Sequence, residues 1–193
     1  MLRFLTILLV ALLSLPTITL RAEEIETDLY EQAGNPEEAK KLVDTIAGVY
    51  EQTFHNPDIS EVQLLISEYI LELVKISDTA LYFKTKLVDS TGHQCFIFGV
   101  ADYKKVGGFV AVTKPEFDDD NKKCYFTIKL TDNGVTISTT AGSCRYGSHR
   151  LGGGLGNDFP ITEKRKIRYM QEILDSADYK NALDEYHKLN SPE

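Results

Sequence analysis

Apolar and polar residues alternate with a period of two through the middle of the chain. Leu81, Phe83 and Leu87 alternate with Tyr82, Lys84 and Lys86, and Cys124, Phe126, Ile128 and Leu130 alternate with Tyr125, Thr127 and Lys129. Successive side chains of a strand point to opposite faces, so the first set of each pair is expected on the core side. Seven runs rich in β-branched and aromatic residues read as strands: 47–54, 68–76, 79–88, 93–103, 107–113, 122–130 and 134–139. Asn133-Gly134 is the strongest turn signal between them, because both residues accept the positive φ of a tight hairpin. The 93–103 run is apolar on both sides and is expected to be a central strand covered on both faces. This pattern predicts a mainly β fold, a single antiparallel barrel or sandwich of seven to eight strands.

Helical periods flank the strands. Asn35-Pro36-Glu37-Glu38 reads as a helix opening, with Asn35 as cap, Pro36 at the first helical position and two glutamates at the positive end of the dipole. Leu42, Val43 and Ile46 give that short helix one apolar side. After the strands, Thr162 is expected to cap a helix from Glu163 to about Ser176, with Ile167, Met170, Ile173 and Leu174 on one side. A second helix is expected over 178–189, with Ala182, Leu183 and Tyr186 inward. Between strands and helices, residues 141–160 carry six glycines and no period, which predicts a long exposed loop.

The first residues follow a different pattern. Arg3 precedes an almost unbroken apolar run from Phe4 to Leu15, and Pro16 and a short segment ending at Ala22 follow. That order predicts a signal peptide over residues 1–22, cleaved after Ala22; the competing reading is an uncleaved anchor. The run is shorter than the ~20 residues a membrane span needs. The remaining segment, 23–193, suits one domain with a helical C-terminal region at 162–189. Export places the domain in the periplasm or outside the cell, without stable membrane insertion. Losing Arg3 and Arg21 deepens the net charge of −8 by two. A surface this acidic argues against nucleic acid as a partner and suits a basic protein.

Candidate chemistry is sparse. Cys95, Cys124 and Cys144 are an odd set in a chain expected to meet an oxidising compartment. Cys95 with Cys124 is the favoured disulfide, because both read as core-facing; Cys124 with Cys144 is the second choice. The Asp118–Asp120 run reads as a solvated turn, since consecutive carboxylates do not converge on one ion. The histidines lack zinc-ligand spacing, so no metal and no cofactor is expected. Arg145, Tyr146, His149 and Arg150 stand apart: they gather donors and an aromatic on the glycine-rich segment of an acidic chain, and such residues dominate protein recognition. They are the candidate binding residues; the competing reading is that they pin the loop to the barrel. Cys144-Arg145 also faintly resembles the L,D-transpeptidase signature, although a residue is missing between Cys and Arg and no histidine lies between His93 and Cys144.

Ala47-Gly48-Val49-Tyr50, Gly92-His93-Gln94-Cys95, the strand led by Cys124 and the Cys144-Arg145 loop together resemble uncharacterised small exported β-barrel proteins of bacteria. They are similar, more distantly, to the periplasmic lysozyme inhibitors. The resemblance implies a non-catalytic binding protein of the bacterial envelope, of the lysozyme-type glycosidase inhibitor class. The alternative is a cell-wall peptide-acting enzyme using Cys144 as nucleophile.

Overall fold

The structure, a computed structural model, describes residues 28–55, 66–88, 94–113, 124–139, 145–146, 149–150 and 157–190. The expected leader at 1–22 lies outside them. Eight antiparallel strands form a nearly closed barrel in the order β1-β2-β3-β4-β5-β6-β7-β10. Their ranges are β1 Gly48–His55, β2 Ile66–Lys75, β3 Ala80–Val88, β4 Gln94–Lys104, β5 Gly108–Thr113, β6 Cys124–Thr131, β7 Gly134–Thr139 and β10 Asn157–Phe159. A separate ribbon pairs β8 (Arg145–Tyr146) with β9 (His149–Arg150). The seven expected strands are therefore present, within a few residues of their expected ends.

Alternation places the core correctly. Leu81, Phe83, Leu87, Phe126 and Ile128 sit in one buried cluster with Leu71, Leu73, Ile97, Phe109, Ile137 and others. Phe83 on β3 stacks on Phe126 of β6 across the barrel, with ring centroids 4.6 Å apart, so side chains fill the interior at that level. Gly99 is what admits the Phe83 ring. It stands directly opposite Phe83 on β4, and a Cβ there would lie 3.2 Å from the ring. Leu130, the last of the expected inward positions, is 40% exposed where β6 runs out into its turn.

Helix α1 (Pro36–Ile46) opens as its sequence predicts: the Asn35 side chain accepts from the Glu37 N–H at 2.9 Å, with Pro36 in the first turn. Ala39, Val43 and Ile46 join the barrel core.

Two expectations fail at the C-terminal side. The 141–160 segment is not simply an exposed loop: Asn157–Phe159 pairs with β7 as β10, and Phe159 is fully buried. The helix expected from Glu163 to Ser176 is mostly absent. Residues Ile161–Glu163 form a 3-10 turn without a side-chain cap, Arg165 pairs with Val49 as an isolated bridge, and only Met170–Asp175 (α2) is helical. Mutual Val49–Arg165 backbone hydrogen bonds of 2.9 Å satisfy the edge of β1, and that tertiary pairing outweighs local helix propensity. Helix α3 (Ala177–Asn190) matches the second expected helix.

The outer wall is also covered. Tyr82, Val49, Val74, Ile167, Ile173 and Ala182 form a second buried cluster, with Phe98, Val100 and Tyr179 packed against it. The residues read as outward-facing on β3 and β6 are therefore not all wet: Tyr82 and Tyr125 are both buried.

Candidate functional site

Strand direction sorts the connections into two classes. Residues 76–79, 105–107 and 132–133 turn tightly at one end of the barrel. The strand ends that flank residues 56–65, 89–93 and 114–123, with the end of β7 and the start of β10, all lie at the other end, the mouth. The starts of β4 and β6, with Cys95 and Cys124, lie at the mouth as well.

The four candidate binding residues pair with one another in the β8–β9 ribbon. Arg145 stands directly opposite Arg150 and Tyr146 opposite His149 in the ribbon. The ribbon lies against β4, three strands round the wall from β7.

Asp158, the one acid of the 141–160 segment, is committed elsewhere. Its carboxylate accepts from the Thr136 hydroxyl and from Asn133 Nδ2 (3.3 Å), and its carbonyl accepts from Gln52 Nε2 at 2.8 Å. It ties β10 to β7 on one side and to β1 on the other. Gly134 permits this seam: its φ is +130°, and a Cβ there would stand 2.2 Å from the Phe159 carbonyl oxygen.

Cys95 stands opposite Leu87 on β3, and Cys124 opposite Thr113 on β5. β5 separates their strands, and two strand spacings are about 10 Å. A Cys95–Cys124 disulfide needs Cα atoms within ~6.8 Å, so it requires β4 and β6 to converge past the end of β5. Cys144, His93, Asp118–Asp120 and the glycines at 152–156 lie outside the described residues.

Tyrosine–carboxylate pairs, which no sequence pattern announced, fasten the flanking segments to the wall. Tyr169 donates to Glu72 at 2.7 Å, Tyr186 to Asp102 at 2.7 Å and Tyr125 to Glu31 at 2.6 Å, and Lys84 pairs with Asp178 at 2.8 Å. Burial, then the hydrogen bond to Asp102, pushes the Tyr186 hydroxyl up to about 12. A depression of about 560 Å³ at the turn end is lined by Gln32, Asn35, Glu38, Tyr103, Lys104 and Lys105. Opposite charges line it together, and Tyr103 already donates to Glu38.

Among the described residues no three His, Cys, Asp or Glu side chains form a metal-holding group. No helix among them is long and apolar enough to cross a membrane. No protein-family model, curated protein or solved structure matches the chain.

Proposed function

We propose that this chain is an exported, non-catalytic binding protein of the bacterial envelope, periplasmic or secreted, whose partner is a basic protein such as a lysozyme-type glycosidase. The paired arginines of the β8–β9 ribbon carry this reading. Like charges directly opposite one another cost stability, and a ribbon that bears that cost gains when an anion sits between them. Glycosidases of this class carry two carboxylates in their cleft. An acidic barrel is steered toward a basic enzyme, and Arg145, His149 and Arg150 then meet the carboxylates.

Replacing Arg145 and Arg150 together with alanine is expected to weaken partner binding by about 2–4 kcal/mol, with the melting temperature nearly unchanged. Calorimetric titration against a lysozyme beside a thermal melt checks both. A double variant that fails to fold would make the arginines structural pins instead. Cys144→Ser is expected to leave binding intact; loss of a measurable peptidoglycan turnover in that variant would establish the cysteine enzyme.

We further infer one disulfide among the three cysteines, with Cys95–Cys124 the favoured pair. Peptide mapping without reductant is expected to find one bridged pair and one free thiol. Three free thiols would rule it out.

A further inference from the structure

We propose that the turn-end rim of the barrel, where residues 161–170 cross from the seam to β2, is a basic surface by which the protein docks on an anionic phospholipid membrane without entering it. This surface is independent of the ribbon and of the partner proposed for it.

Residues 161–170 read ITEKRKIRYM, with four cations and one acid, Glu163, so the stretch stands at +3 in a chain at −8. The fold holds it against the wall. β10 ends at Phe159, opposite Val135. Arg165 pairs with Val49, itself the direct partner of Glu72, and Tyr169 donates to Glu72. Ile167 is buried in the outer cluster. Val135, Val49 and Glu72 all stand near the turn ends of their strands, so the stretch follows that rim.

Three of its cations are available to an anion. Arg165 is spent on Glu51. Lys164 donates to the Thr45 carbonyl at the end of helix α1, and no carboxylate opposes its charge among the described residues. Lys166 and Arg168 are exposed, and neither has a hydrogen-bond or ion-pair partner among the described residues. Acids of the same rim are engaged: Glu72 by Tyr169, Asp44 by Lys75, and Asp78 by Lys75 and Lys40.

Exposed apolar side chains flank the cations. Ile161 is 37% and Met170 38% exposed, and Leu130, at 40%, comes out at the same end. A run of cations alone fits any polyanion. Cations set between uncovered apolar side chains fit a phospholipid surface, whose phosphates take the charges while the apolar tips enter the boundary between headgroups and acyl chains. The net negative charge of the chain weakens this attraction without cancelling it, because acids more than ~8 Å from the lipid are largely screened at physiological ionic strength.

The test uses the mature chain expected from residue 23 onward, sedimented with vesicles of phosphatidylcholine alone or with phosphatidylglycerol added. Binding is expected only where phosphatidylglycerol is present, and is expected to weaken steeply as salt is raised. Lys166→Ala with Arg168→Ala is expected to lower the partition coefficient at least about tenfold at an unchanged melting temperature, and Met170→Ser to lower it several-fold. Lys86→Ala with Lys180→Ala removes the same charge from the outer wall away from this rim and is expected to change it by less than about threefold. Should the first double variant fail to fold, Lys166→Gln with Arg168→Gln reads the same loss. No binding to phosphatidylglycerol vesicles, equal binding to both kinds, or wild-type partitioning in a folded Lys166/Arg168 variant overturns the proposal. Inorganic polyphosphate that displaces the vesicles, with Met170→Ser at wild type, overturns the lipid surface in favour of a soluble polyanion.

Discussion

Phe159→Ala is expected to cost about 3–5 kcal/mol of folding stability, a large share of what a domain of this size possesses. Phe159 is fully buried, and its ring meets Tyr50 edge-on at 6.1 Å. β10 is only three residues long, so this one side chain provides most of the apolar attachment of the strand that closes the barrel against β1. The same variant frees the end of the segment that carries the ribbon, and partner binding is expected to fall with it. Phe83→Ala provides the comparison: it removes a core ring of the same size in mid-barrel and leaves the seam and the ribbon tethered. Denaturant unfolding of both variants, beside a binding titration, separates the two effects. A Phe159→Ala variant within about 1 kcal/mol of wild type would show that β10 does not hold the wall closed.

Alkaline pH is expected to unfold the protein well before the lysines lose their charge in full. Tyr50 and Tyr82 are fully buried, and desolvation raises both hydroxyls well above their ordinary value of 10.0; for Tyr82, Asp178 and Glu72 add to it. Tyr50 also donates to the Ile46 carbonyl at 2.8 Å, which only the neutral hydroxyl can do. Below pH 10 both the folded and the unfolded chain hold these protons, and stability does not depend on them. Above it the unfolded chain ionises while the folded chain does not, so the folded state binds more protons and stability falls as pH rises. Each buried tyrosine contributes a slope of up to about 1.4 kcal/mol per pH unit until it ionises in the fold. Tyrosinate absorbance and far-ultraviolet circular dichroism, followed together from pH 9 to pH 12.5, are expected to change in one step. Ionisation of every tyrosine with the circular dichroism unchanged would refute it.

The strands were legible in the sequence because each hairpin buries one face, which writes a period of two, and each is bounded by turn residues. Asn133-Gly134 marked its hairpin for the same local reason. β10 was not legible. Three residues, of which one points into the core, make no period, and the glycines before them read as loop. The helix expected at 163–176 failed for a different reason: Thr162-Glu163 looks like a helix start, but Val49, 116 positions before Arg165, offers Arg165 a backbone partner that no local window contains. Tyr82 and Tyr125 occupy outward positions of their strands and are still buried, because alternation reports the wet face only when nothing packs on it. The candidate site shows the same division. The basic character of Arg145, His149 and Arg150 is plain in the sequence, whereas the register that sets Arg145 against Arg150, and the contact of the ribbon with β4, come from the fold.

The order of the wall carries a consequence for assembly. From β1 to β7 every strand pairs with its sequence neighbour, so hairpins form in succession and each closes only a short loop. The seam is the exception: Gln52 reaches Asp158 across 106 positions of chain. Closing it is the one step that must wait for nearly the whole sheet to exist. The open sheet from β1 to β7 is thus the natural intermediate on the way in, and the seam is the first part of the wall to open on the way out. Until Phe159 docks, β1 and β7 are bare edges, and the nascent molecule passes through its most association-prone form just before the barrel shuts.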